Sequence, residues 1–192
     1  MTRLIAVGFI VIGLVVIAWP DLQQAQHMQK EQDLVEGFQA INDHLKVEAQ
    51  TTSKPNSQTF QDENVYGLIH IEKLGLTLPL LDDISAQSLD IGAGLIRQGN
   101  RFGEPGNIGV AAHRSRTEGR LFSTLDQVER GDDITIETRD KMIEYEVFQT
   151  TVVSPEEIDI LHNKGDQSIV TLITCTIDGE NRLIVQAKNT RL

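Results

Sequence analysis

A mostly β chain that closes into a barrel is the fold class this sequence predicts, and three stretches predict it. Ile134, Ile136 and Thr138 alternate with Thr135 and Glu137, and Ile143, Tyr145 and Val147 alternate with Glu144 and Glu146. A period of two marks half-buried antiparallel strands, and Asp140-Lys141 supplies the turn between them. The third stretch, Gln167 to Thr174, is more continuously apolar around Ile169-Val170 and Leu172-Ile173, as a central strand is. Many short strands separated by turns, without an internal repeat, favour a closed barrel.

The 192 residues leave room for one domain of ordinary size plus extensions. Residues 1–20 form the first of these. From Leu4 to Trp19 run sixteen uncharged, overwhelmingly apolar residues behind Arg3. As a helix they span about 24 Å, against a hydrocarbon core of roughly 30 Å, a short but usable transmembrane segment. No small-x-small cleavage site follows Pro20, so an uncleaved signal anchor is expected rather than a removed signal peptide. Arg3 and the terminal amine set the N-terminus inside and the rest of the chain outside the cell membrane, in single-pass topology.

Residues 21–64 read as an extracellular stalk. Leu34, Phe38, Ile41 and Leu45 recur at helical spacing, the apolar stripe of a short amphipathic helix that packs on the domain or on a neighbouring chain. Thr51-Thr52-Ser53-Lys54-Pro55-Asn56-Ser57 is a polar linker rich in breakers. The folded domain is expected over residues 65–192. Within it, Ser154-Pro155-Glu156-Glu157 carries an N-cap, a first-turn proline and a capping-box glutamate, a helix start. Short helices therefore interrupt the sheet.

Three side chains carry the candidate chemistry. Cys175, the single cysteine, ends the run Thr171-Leu172-Ile173-Thr174. Arg182 follows across Asp178-Gly179, a hairpin signal that brings adjacent antiparallel strands together. His113 closes the apolar stretch Ile108-Gly109-Val110-Ala111-Ala112. A thiolate can split one acyl transfer into two steps through a thioester. Imidazole can protonate the leaving amine and later deprotonate the incoming nucleophile. A guanidinium stays cationic and can stabilise the oxyanion on the scissile carbonyl. Taken singly, the cysteine reads as a small buried hydrophobe and the arginine as a solvated charge; only the combination points to a cysteine transpeptidase.

These residues resemble the sortases of Gram-positive bacteria. The resemblance rests on Thr-Leu-Ile-Thr-Cys at 171–175, Ala-Ala-His-Arg at 111–114 where sortases usually have Ala-Gly-His, and Arg-Leu-Ile-Val at 182–185. Tyr66 to Leu74 with Leu78-Pro79-Leu80, the Leu-Phe-x-x-Leu run at 121–125 and Gly131-Asp132 add to it. Together these span residues 65 to 190. The resemblance implies an eight-stranded sortase-type barrel, with Cys175 as nucleophile, His113 as general acid and base, and Arg182 as oxyanion stabiliser or substrate positioner. It also implies that Ala111, Ile173 and Ile184 line the groove for the Leu-Pro part of a Leu-Pro-x-Thr-Gly-like sorting signal, cleaved between Thr and Gly. The partners implied are sorting-signal-bearing surface proteins and a peptidoglycan precursor amine. The N-terminal anchor suggests a class A-like anchoring enzyme, with class D as the alternative. A catalytically silent peptide-binding barrel, a thiol hydrolase and a pilin-polymerising sortase are the competing readings.

Other classes of function fit poorly. A net charge of −11, with no basic stripe, argues against nucleic acid as partner. One cysteine allows neither an internal disulfide nor a structural zinc site, and His27, His44, His70 and His162 lack metal-ligand spacing. The acidic pairs Asp82-Asp83, Asp132-Asp133 and Glu156-Glu157 do not form a dedicated calcium loop and read as solvated charge. Gly92-Ala93-Gly94 lacks the rest of a dinucleotide fingerprint. No metal and no cofactor is expected.

Overall fold

Eight strands close on themselves in a computed structural model that describes residues 26, 28–40, 65–96 and 99–191. In chain order they are β1 (Val65–Ile71), β2 (Leu76–Leu81), β3 (Ala93–Ile96), β4 (Gly106–Ala111), β5 (Asp133–Thr138), β6 (Met142–Val153), β7 (Ser168–Cys175) and β8 (Arg182–Asn189). Around the barrel the order is β1-β2-β3-β4-β7-β8-β6-β5. Two neighbouring pairs are parallel, β2 with β3 and β4 with β7; the remaining pairs are antiparallel. Closure leaves no strand edge unpaired around the ring, which removes the usual aggregation-prone sheet edge.

The expected alternation in β5 and β6 is present. Ile134, Ile136, Ile143, Tyr145 and Val147 join Val170, Leu172, Val185 and Ala187 in one buried cluster inside the barrel. Each such aliphatic or aromatic side chain contributes roughly 1.5–3 kcal/mol by leaving water. Tyr145 keeps its hydroxyl satisfied at the barrel end, accepting from the Gly103 amide at 2.9 Å and lying 3.4 Å from Ser168 Oγ. Burial holds that phenol above its ordinary pKa.

Two helices pack outside the barrel. α1 covers residues 28–40 and α2 is Ala86–Ile91. α2 makes the crossover that parallel β2 and β3 require; Ser85 caps it, accepting from the Ser88 amide at 3.2 Å. Asp83 Oδ1 accepts from the Ser85 amide and the Ser88 hydroxyl, each at 2.7 Å. Leu34 of α1 packs with Leu81 and Ile91, and Phe38 is also buried, so the predicted stripe faces the barrel. Its later members Ile41 and Leu45, the linker and the apolar segment from Leu4 to Trp19 lie outside the described residues.

The helix expected from Ser154 does not form. Residues 154–167 make a loop containing one 3₁₀ turn, Asp159–Leu161. The reason is tertiary. The Ile160 carbonyl, which a longer helix would need for its own ladder, accepts instead from Asn107 Nδ2 at 3.0 Å and Gln186 Nε2 at 3.1 Å. Long-range partners have outcompeted a good local start signal.

Candidate active site

Parity along three adjacent strands determines which side chains share a surface. In β4, β7 and β8 the residues Ile108 and Val110, Val170 and Leu172, and Leu183, Val185 and Ala187 point into the core. Their neighbours Ala111, Thr171, Ile173, Cys175, Arg182, Ile184 and Gln186 therefore lie on the outer face. Ala112 is again a core residue, so the alternation continued one step puts exposed His113 on that outer face too.

Register then brings them together at one rim. Cys175 sits directly opposite Arg182 in the β7–β8 ladder. In the parallel β4–β7 ladder Ala111 pairs with Ile173, so His113 and Cys175 each lie two residues farther along. Two contacts carry this pairing to the rim: the Ala112 amide donates to the Ile173 carbonyl at 3.1 Å, and Thr174 Oγ1 donates to the Ala112 carbonyl at 2.9 Å. Thr174 is buried, and its hydroxyl ties the residue before the cysteine to the residue before the histidine. Cys175 is a free, half-buried thiol.

The connection from Cys175 to Arg182 is rigid for its length. The Thr176 amide donates to the Asn181 carbonyl at 3.0 Å, and Thr176 Oγ1 accepts from the Asn181 amide at 3.0 Å. Asp178 accepts from the Thr176 hydroxyl and the Glu180 amide, and these bonds hold its carboxyl below the ordinary range. Gly179 takes φ +78°, which explains glycine at that step of the turn. Arg182 Nη1 donates to the Asn181 carbonyl at 3.1 Å, leaving the rest of its fork of donors for other acceptors.

One row behind the rim, Ala111, Ile173 and Ile184 lie side by side in register. Ala111 and Ile173 are half-buried, whereas Ile184 is only 1% exposed. Ile184 thus belongs to the floor, and the other two retain surface that a ligand can touch. The next two rows contain polar groups that the sequence reading missed. Thr171 Oγ1 donates to Asn107 Oδ1 at 2.7 Å and accepts from Gln186 Nε2 at 3.0 Å. Asn107, Thr171 and Gln186 are at most 1% exposed. They fasten the β6–β7 loop through Ile160, and Asn163 Oδ1 and Lys164 Nζ add bonds to the Asn107 amide and to Gln186 Oε1 at 2.8 Å each. A polar residue inside the otherwise apolar runs Gly106–Ala111 and Leu183–Ala187 was the available signal.

Ile158 of the β6–β7 loop is 68% exposed and Ile177 of the β7–β8 loop 85% exposed. Both loops adjoin the Cys175 rim, so they offer apolar surface to a peptide lying across it. Among the described residues no group of three or more His, Cys, Asp or Glu side chains is arranged to hold a metal.

Comparison with known proteins agrees with the closed barrel. A model of the sortase domain matches residues 69–190, well over half of the chain. The chain is 26% identical to sortase A of Bacillus anthracis over 193 residues, covering 95% of this chain and 91% of that protein. It is 30% identical to sortase SrtE1 of Streptomyces coelicolor over 70% of this chain and 43% of the longer relative. Among solved structures, a sortase D5 transpeptidase of Clostridium perfringens superposes with a TM-score of 0.66 at 27% identity, covering 84% of this chain and 98% of that one. A sortase C of Clostridium perfringens, solved with the C-terminal cell wall sorting motif, gives a TM-score of 0.62 at 28% identity over 84% and 89% of the two chains. With its closed barrel, its single cysteine and the extent of the family match, the chain belongs to the sortase family of cysteine transpeptidases.

Proposed function

We propose that Cys175 is the nucleophile of this transpeptidase, His113 its general acid and base, and Arg182 its oxyanion stabiliser. The observation that carries these roles is the register: Cys175 faces Arg182 across one antiparallel step, and His113 ends the parallel strand beside Cys175. The Cys175 thiolate attacks the Thr carbonyl of a Leu-Pro-x-Thr-Gly-like sorting signal, forming a C–S bond and a tetrahedral oxyanion facing Arg182. Collapse breaks the C–N bond, and His113 delivers a proton to the departing Gly amine. A peptidoglycan precursor amine then attacks the thioester, His113 takes its proton, and the C–S bond breaks to return the thiolate. The product is a surface protein joined covalently to the cell wall.

Ala111 and Ile173, with Ile184 beneath, supply the apolar ground for the Leu-Pro residues. Residues 1–20 hold the enzyme in the cell membrane as a signal anchor, with the barrel outside. The apolar run behind Arg3 supports this placement.

The test is to incubate the protein with a Leu-Pro-x-Thr-Gly peptide, with and without a Gly-based or diaminopimelate-type amine, and to read products by mass spectrometry beside Cys175→Ala. A Cys175-dependent product joined through Thr to the amine is expected. Cleavage insensitive to added amine would instead identify a hydrolase, and absence of both thioester and cleavage across varied motifs would identify a silent peptide-binding barrel.

A further inference from the structure

The segment that follows His113 is a short hairpin held at both ends. Arg114 and Leu121 form a bridge, and the Phe122 amide donates to the His113 carbonyl at 3.1 Å. Leu121, 2% exposed, takes φ +49°, and it alone among the described non-glycine residues has a positive φ. Such a conformation is strained in a bulky residue and persists only where the surroundings enforce it. Phe122, fully buried, enforces it from one side. Arg120 is the group on the other.

Arg120 reaches both outer helices. Its Nη2 donates to the carbonyl of Asp90 in the last turn of α2, where helix carbonyls have no partner within the helix. Its Nε lies 3.5 Å from Glu31 Oε2 of α1, and the two side chains are only 15% and 14% exposed. Among the described residues those two atoms are buried without a hydrogen bond, so the ion pair is their main compensation. Removing one partner of a buried pair strands the other charge, which is why such contacts hold geometry tightly. Glu31 shares a helix face with Leu34 and Phe38, at spacings of three and seven, and both are buried.

We propose that Arg120, gripped between Glu31 of α1 and the Asp90 carbonyl of α2, is a positioning residue for His113, so that docking of the N-terminal helix sets the catalytic competence of the rim. The linkage runs from Glu31 to Arg120, through the strained Leu121 to the Phe122 amide, and from there to the His113 backbone. Among the described residues no side-chain hydrogen bond steadies the exposed His113 ring itself, so its placement depends on this backbone. The inference rests on His113 being the acid–base group, and it gives the segment between stalk and barrel a part in turnover.

The test uses the full chain carrying Glu31→Gln, which keeps shape and removes charge, and Arg120→Lys, which keeps charge and removes the fork. Phe122 amide exchange and the His113 imidazole resonance are followed by NMR, beside kcat and KM for the sorting peptide and alkylation of Cys175 by iodoacetamide. In both variants Phe122 exchange is expected to rise about tenfold over a globally unchanged barrel, and the His113 resonance to shift. Turnover should fall about tenfold with KM and Cys175 alkylation within about twofold, since a small misplacement of a catalytic group lowers the rate of the chemical step. Unchanged Phe122 exchange and His113 resonance in both variants would overturn the proposal. So would an even loss of protection across all eight strands, which marks a stability contact alone. A shifted His113 in a protein whose wild type transfers no sorting peptide would support the positioning linkage and count against the peptide substrate.

Discussion

Replacing Gln186 by Leu should loosen the β6–β7 loop while leaving the barrel standing. Gln186 is fully buried on the outer face of β8. Its amide nitrogen donates to Ile160 O at 3.1 Å and to Thr171 Oγ1 at 3.0 Å, and its oxygen accepts from Lys164 Nζ at 2.8 Å. The three losses are unequal. Exposed Lys164 returns to water, Ile160 O keeps its bond from Asn107 at 3.0 Å, and Thr171 Oγ1 keeps its donation to Asn107. No buried atom is left wholly without a partner, so the cost is two net hydrogen bonds at about 1 kcal/mol each, or about 2 kcal/mol. For a chain of this size that lowers Tm by about 4–8 °C. Thermal unfolding gives the global number, and hydrogen exchange over residues 154–167 gives the local one. Exchange there should rise more than in β1 or β5, and KM for a sorting peptide should rise with little change in Cys175 alkylation. Wild-type exchange in this segment would refute the reasoning, since it would mean the loop holds its place without Gln186.

Three further outcomes are expected. Arg182→Lys keeps the positive charge opposite Cys175 but loses the planar fork, so kcat/KM for transfer should fall about 100-fold, the scale of one lost oxyanion donor; a fall under about twofold in steady-state kinetics would remove Arg182 from the reaction. Gly94→Ala should destabilise by about 3 kcal/mol, because the added methyl would sit 2.3 Å from the Asp83 carbonyl oxygen beside the parallel β2–β3 pair; an unchanged denaturant midpoint would contradict that packing. Glu31 is held above the ordinary carboxylate range, first by burial and against the opposing pull of Arg120. The folded chain therefore binds that proton more tightly than the unfolded chain, so stability should fall as pH rises from the ordinary carboxylate pKa to the raised one and then level off. Glu31→Gln should flatten that slope in denaturant midpoints measured across the range, and an identical slope would assign it to another group.

What the sequence carried locally, it carried well. Alternation around Ile134–Thr138 and Ile143–Val147 is the two-residue period itself, and it became β5 and β6. Asp178-Gly179 became a turn with Gly179 at positive φ. The pairing of β4 with β7 was not legible in this way, because it joins segments about sixty residues apart whose apolar runs do not encode a partner. Gln186 was hidden by the same limit. Alternation in β8 assigns it outward, which reads as solvent, yet the β6–β7 loop covers it completely. The capping signals at Ser154 failed for the complementary reason: Asn107 and Gln186 claim the carbonyl that the helix needed. Arg120 carries no local signal of its role, because its partner Glu31 lies on α1, far away in the sequence.

The parallel pairing is what brings His113, Cys175 and Arg182 to a single rim. Because β4 and β7 run the same way, the residues that follow their last core positions leave the barrel at the same end. Antiparallel β8 begins at that end, so the first residue of β8 meets the last of β7. Had β4 run the other way, His113 would lie a full strand away, about 20 Å for six residues. Orientation alone is insufficient, since a one-residue slip in β7 would turn Cys175 into the core and Thr174 outward. The buried bond from Thr174 Oγ1 to the Ala112 carbonyl forms only in the observed register. The threonine before the cysteine thus fixes, by one hydroxyl, both the face on which the thiol emerges and its level beside the histidine.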